Sequence, residues 1–172
     1  YENEDPAYAA AGGLQWFSLE QFRPWEEAIM HDDTAAREDD EVFAYIEKSI
    51  KEIAELCGMA PENTILLGFS QGAVIASGYA HYSGRKAMGV IALSGLAAFC
   101  AKRMKRKTPI LVMHGTKDEV VPFTLYEKVK ASLTAAEVPA EFAPIQGLGH
   151  AINKEEIAKG AVFIKKLLKR LS

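Results

Sequence analysis

TILLGFSQGAVIA, residues 64–76, is the stretch on which the reading of the fold turns. Its first six residues, TILLGF (64–69), are a short continuous apolar run without alternation, the pattern of a parallel strand covered on both faces. The segment 72–82 is apolar nearly all round and reads as a buried helix. Between the two lies Gly68-Phe69-Ser70-Gln71-Gly72, a G-x-S-x-G string at a strand-to-helix junction. A turn that sharp brings the residues two before and two after the serine against each other, so both are expected to be small. It also lifts the serine clear of the backbone.

The same alternation continues outward. Upstream, a helix is expected over 36–57, where Val42, Ile46, Ile50, Ile53 and Cys57 recur at helical spacing on one face and Gly58 can stop it in a left-handed conformation. Pro61 and Asn63 then make a turn. Downstream, strands are expected at MGVIAL (88–93), ILVM (110–113) and EFAPI (141–145), the last an edge strand because Pro144 cannot donate to a ladder. Helices are expected over 122–137, opened by Pro122, and over 154–171, opened by a capping box of Asn153 and Glu156. In that last helix Ile157, Ala161, Ile164, Leu168 and Leu171 repeat with the spacing of a single face. Strands alternating with helices argue for an α/β fold with a mostly parallel sheet and right-handed crossovers. Residues 1–34, with an aromatic cluster at Trp16, Phe17, Phe22 and Trp25, read as a long ordered loop.

The 172 residues fit a single domain over 1–172. At 49% hydrophobic and 25% charged the composition is that of an ordinary globular protein, and no apolar run is long enough to cross a bilayer. Residues 1–41 carry 12 acidic and 2 basic side chains, so the net charge of −3 hides an acidic front and a mildly basic remainder. That distribution is too diffuse to imply nucleic-acid binding. The densest basic run, KRMKRK (102–107), lacks interleaved aromatics and reads as a solvated loop. Cys57 and Cys100 have neither CxxC nor Cys/His spacing, so no disulfide framework and no metal site is expected, and reduced thiols in a cytoplasm are the simpler account. The opening YENEDPAYAAAGG has no secretory-signal pattern and no initiating methionine.

The chemistry follows from Ser70. A serine hydroxyl is a poor nucleophile at neutral pH and needs an imidazole to take its proton and a carboxylate to orient that imidazole. Asp118 follows the strand ILVM, and His150 lies in the glycine-rich GLGHAI loop between the last strand and the last helix. Glu119 is the competing acid, but one step along the chain its side chain points elsewhere. His114, at the end of its strand and ahead of the acid, reads as packing beneath the acid loop. His31 and His81, in a polar loop and at a helix end, read as exposed structural residues. For the oxyanion of a tetrahedral intermediate, the backbone N–H of Gln71 at the start of a helix is the natural first donor. Nothing before Ser70 supplies the second.

Together, GLQWFSL (13–19), ILLGFSQGAVIA (65–76), IALSGL (91–96), ILVMHGTKDEVVPF (110–123) and GLGHAI (147–152) resemble the phospholipase/carboxylesterase family of α/β-hydrolases, which includes acyl-protein thioesterases. The resemblance implies Ser70, Asp118 and His150 as a catalytic triad and Gln71 as part of the oxyanion hole, and it puts Trp16, Leu96 and Val121 beside an acyl pocket. That family opens with a strand, an HGxG-type loop and a further helix and strand before its QWF segment. None of these is present here, so the chain is read as an amino-terminally incomplete hydrolase domain, and the strand TILLGF would present an unpaired, aggregation-prone edge unless another segment or chain covers it. The expected activity is cofactor-independent cleavage of carboxylic ester or thioester bonds through an acyl-serine, on a small-molecule or lipid-like substrate that is apolar on its acyl side. A lysophospholipase with the same triad and an inert, hydrolase-like binding scaffold are the alternatives.

Overall fold

The computed structural model describes residues 39–95 and 104–170. Four strands, β1 (Ile65–Phe69), β2 (Gly89–Leu93), β3 (Ile110–Gly115) and β4 (Ala140–Ile145), form one sheet in the order β1-β2-β3-β4, with every adjacent pair parallel. Helix α1 (Asp39–Leu56) precedes β1, α2 (Gln71–Tyr82) connects β1 to β2, α3 (Phe123–Ala135) connects β3 to β4, and α4 (Lys154–Leu168) follows β4. A short 3-10 turn over Pro61–Asn63 leads into β1. No described helix is long and apolar enough to cross a membrane.

The alternation of side chains along the strands divides the core in two. Val90, Ala92, Ile110 and Val112 face α2 and α3 and pack with Ala73, Ala76, Ala80, Tyr126, Val129 and Leu133. Ile91, Leu93, Leu111 and Met113 face the other way, against Phe163 and Leu167 of α4. β2 and β3 are therefore buried at every residue, which is why they appear in the sequence as unbroken apolar runs. On the α2 side, α1 lies over α2, with Phe43 edge-on to Tyr79 at a ring-centroid distance of 6.0 Å. β4 is a sheet edge, as Pro144 requires, and β1 is the opposite edge among the described residues.

Two helices present a different face to the core from the one their isoleucines suggest. Among the described side chains of α1, Phe43 and Ala54 are buried and Val42, Ile46 and Ile50 half-buried, whereas Ile53 is 61% exposed and Cys57, beyond the helix, is exposed. In α4 the buried set is Glu156, Gly160, Phe163 and Leu167, and Ile157 and Leu168 are exposed. A 3.6-residue period cannot choose between adjacent stripes. In α4 packing chooses: the capping box turns Glu156 inward, Gly160 comes down over Ile91, and the large Phe163 and Leu167 side chains fill the space above β2 and β3. Both halves of the box are formed, with Glu156 N–H donating to Asn153 Oδ1 at 3.0 Å and Asn153 N–H to Glu156 Oε2 at 3.1 Å.

Candidate active site

Ser70 occupies the single residue between β1 and α2, with φ 54° and ψ −122°. A positive φ costs a non-glycine residue on the order of 1–3 kcal/mol and persists only where the surroundings enforce it. Here they do: Ser70 N–H donates to Leu93 O at 2.9 Å, and its own carbonyl accepts from Ala73 N–H at 3.0 Å. The expected demand for two small residues holds on one side only. A Cβ on Gly68 would overlap the carbonyl of Gly72, whereas a Cβ on Gly72 would meet nothing within 4 Å. The close approach is between the Gly68 Cα and the Gly72 backbone, so the constraint falls on Gly68 alone.

The acid and the imidazole come from loops on the same rim, beyond the end of β2. Asp118 follows β3 and His150 follows β4, and the two loops are stitched together. Lys117 N–H donates to Leu148 O at 2.9 Å, Thr116 N–H to Ile145 O at 3.0 Å, and Gly147 N–H to Thr116 Oγ1 at 2.9 Å. Gly115 permits this, since any Cβ there would run into the Leu148 and Gly149 carbonyls. As a result His150 Nδ1 lies 2.8 Å from Asp118 Oδ2. A carboxylate oxygen can only accept, so Nδ1 carries a proton, and in the neutral ring Nε2 is left with a lone pair. The imidazole ring packs on Phe69, the neighbour of Ser70, with centroids 4.7 Å apart.

The other carboxylate oxygen of Asp118, Oδ1, accepts from Val120 N–H at 3.0 Å and Val121 N–H at 2.8 Å. Burial pushes the Asp118 carboxyl upward, but the hydrogen bonds from His150 and Val121, the charge of His150 and the Val120 N–H outweigh it and hold the group below its ordinary value. Glu119, the competing acid, is exposed. Gln71 is the first residue of α2. Val121 is half-buried and contributes its backbone to the acid turn, while Trp16, Leu96, His31 and Cys100 lie outside the described residues.

His81 differs from expectation: it is fully buried, with Nδ1 2.8 Å from Ser77 O and Nε2 3.1 Å from Thr108 O. The segment after residue 103 folds over it, with the Lys105 and Arg106 N–H groups donating to its carbonyl. Ser94 and Gly95, by contrast, have no role in the sequence beyond their place in IALSGL (91–96). Ser94, at φ 46° and fully buried, donates its N–H to Met113 O at 2.9 Å, and the Gly95 Cα faces the Ser70 carbonyl and Ala73 so closely that no side chain fits. The signal was a Ser-Gly pair directly after an apolar strand.

A strained serine at a strand-to-helix elbow, together with an Asp–His pair on the following loops of a parallel sheet, defines the α/β-hydrolase class of architecture. The profile of the family described as Phospholipase/Carboxylesterase matches residues 2–168, and the chain belongs to that family. Acyl-protein thioesterase 1 of Saccharomyces cerevisiae is 34% identical over 159 residues, which cover 84% of this chain and 68% of the yeast protein. A probable carboxylesterase of Oryza sativa subsp. japonica is 31% identical over 90% of this chain and 58% of its own length. The crystal structure of SOBER1 from Arabidopsis thaliana superposes with a TM-score of 0.67 at 31% identity, over 79% of this chain and 67% of that one. The carboxylesterase SOBER1 sequence is matched over 54% of its length, so the chain spans little more than half of several of its curated relatives.

Proposed function

We propose that this chain is a serine hydrolase that cleaves carboxylic ester or thioester bonds, with Ser70 as nucleophile, His150 as general base and acid, and Asp118 as the carboxylate that orients it. The observation that carries the reading is the 2.8 Å contact from His150 Nδ1 to Asp118 Oδ2, with the imidazole packed beside the strained Ser70 elbow. In this mechanism His150 Nε2 takes the Ser70 hydroxyl proton as Oγ bonds to the substrate carbonyl carbon. The Gln71 N–H at the start of α2 donates to the resulting oxyanion. The leaving alcohol or thiol departs with the proton from His150 and leaves an acyl-Ser70. Water then gives a proton to His150 and attacks the acyl carbon, and the carboxylic acid is released as Ser70 regains its proton. Trp16, Leu96 and Val121 border the acyl group in this reading, so the substrate is apolar on that side.

A fluorophosphonate probe is expected to modify the wild-type protein, and Ser70→Ala to abolish both labelling and hydrolysis of short p-nitrophenyl esters. Folded wild-type protein that takes up no probe and turns over no ester would contradict the proposal and favour a hydrolase-like binding scaffold. Turnover of an acyl-thioester peptide compared with a lysophospholipid distinguishes the substrate classes.

A further inference from the structure

The acid turn contains a second imidazole that this mechanism leaves idle. His114, the penultimate residue of β3, is 1% exposed and lies among Phe123 and Tyr126, with ring centroids 6.0 Å from each. Its Nε2 is 2.9 Å from the Val121 carbonyl oxygen and 3.5 Å from Asp118 Oδ2. Both neighbours are acceptors, so Nε2 carries the proton. Val121 in turn donates its N–H to Asp118 Oδ1 at 2.8 Å. One imidazole N–H thus holds the carbonyl of the residue whose amide fixes Oδ1, while bordering Oδ2, the oxygen that accepts from His150.

We propose that His114 is a positioning residue for the reaction: its Nε2–H clamps the turn at Val121 so that the Asp118 carboxylate presents Oδ2 to His150 in a single orientation. This inference rests on the serine-hydrolase reading. Packing alone does not explain the residue, because a phenylalanine would fill an aromatic slot beside Phe123 and Tyr126 without the cost of burying a polar ring. What a phenylalanine lacks is the donor.

The test is a comparison of three variants. In His114→Phe the ring remains and the donor is lost; in His114→Gln the side-chain amide reaches the Nε2 position; in His114→Asn it reaches only the Nδ1 position. The Phe and Asn variants are expected to lose about 10- to 100-fold in kcat with KM little changed, and the Gln variant to recover most of that loss. If His114 only packs, the rank reverses and Phe is the most active of the three; that order, or equal activity in all three, overturns the proposal. If His114→Phe does not fold, the Gln and Asn pair carries the same comparison. A readout free of turnover is the downfield proton resonance of His150 Nδ1–H, expected to be retained in Gln and lost or shifted in Phe and Asn. Should the wild type prove inert to fluorophosphonate and esters, the hydrolase reading fails, and an Nδ1–H resonance unchanged in every variant would then refute the positioning role separately.

Discussion

Asp118 accepts three hydrogen bonds, two from backbone amides on one oxygen and one from His150 on the other, in a place where its side chain is out of water. Its carboxyl is held below the ordinary value of 3.8, so the native state binds its proton less readily than the unfolded chain does. The stability this supplies is fully present above the ordinary value and is lost as pH falls through the depressed native one. Urea unfolding at pH 7, 5 and 3 should therefore show a steeper loss on acidification for the wild type than for Asp118→Asn, and parallel losses would contradict this. The same substitution reverses the proton preference at His150 Nδ1 and is expected to lower kcat by about four orders of magnitude, measured on a p-nitrophenyl ester. The order of Ser70, Asp118 and His150 along the chain is legible because each follows a strand on the same rim. Which carboxylate oxygen faces His150 is not legible, since it depends on the amides of Val120 and Val121. Nor is the burial of His81, which depends on a later segment closing over a helix end.

At the level of elements, the elbow can be read from its string but its asymmetry cannot. Gly68 faces the Gly72 backbone, while the space above Gly72 is open. Gly68→Ala should thus lower unfolding stability by 4 kcal/mol or more, roughly the range for an unrelievable backbone clash. Gly72→Ala should be neutral or raise it by about 0.5–1 kcal/mol, because alanine is the better residue in a helix. Equal effects of the two in denaturant titrations would rule out this geometry. Helix limits were legible from their punctuation: Gly58 at φ 62° after α1, Pro122 as the N-cap of α3, and the Asn153–Glu156 box at α4. The buried faces of α1 and α4 were less so, because isoleucine content marks a stripe as apolar without saying whether a sheet lies beneath it.

Across the whole molecule, the layered α/β/α arrangement follows from unbroken apolar strands separated by helices, and this was the most legible level. The sequential strand order is less legible, since it depends on which crossovers fit the space between strands. Contact between α4 and the sheet rests on Phe163 and Leu167 over Ile91, Leu93, Leu111 and Met113. Phe163→Ala should accordingly cost about 3–5 kcal/mol, whereas Ile157→Lys, at a position 65% exposed, should change stability by less than about 0.5 kcal/mol. Chemical denaturation of the two variants checks the orientation of the helix. β1 bounds the described sheet with Leu67 at 62% exposure, so Leu67→Lys is expected to reduce concentration-dependent association in light scattering.

The proposed convergence of Ser70, Asp118 and His150 on one acyl transfer is tested most directly by trapping the intermediate. Protein mixed with p-nitrophenyl butyrate, quenched in acid and peptide-mapped by mass spectrometry, should carry one butyryl group on Ser70, and Ser70→Ala should carry none. Ester hydrolysis at the wild-type rate by Ser70→Ala, or a butyryl group mapped to another residue during turnover, would contradict the account.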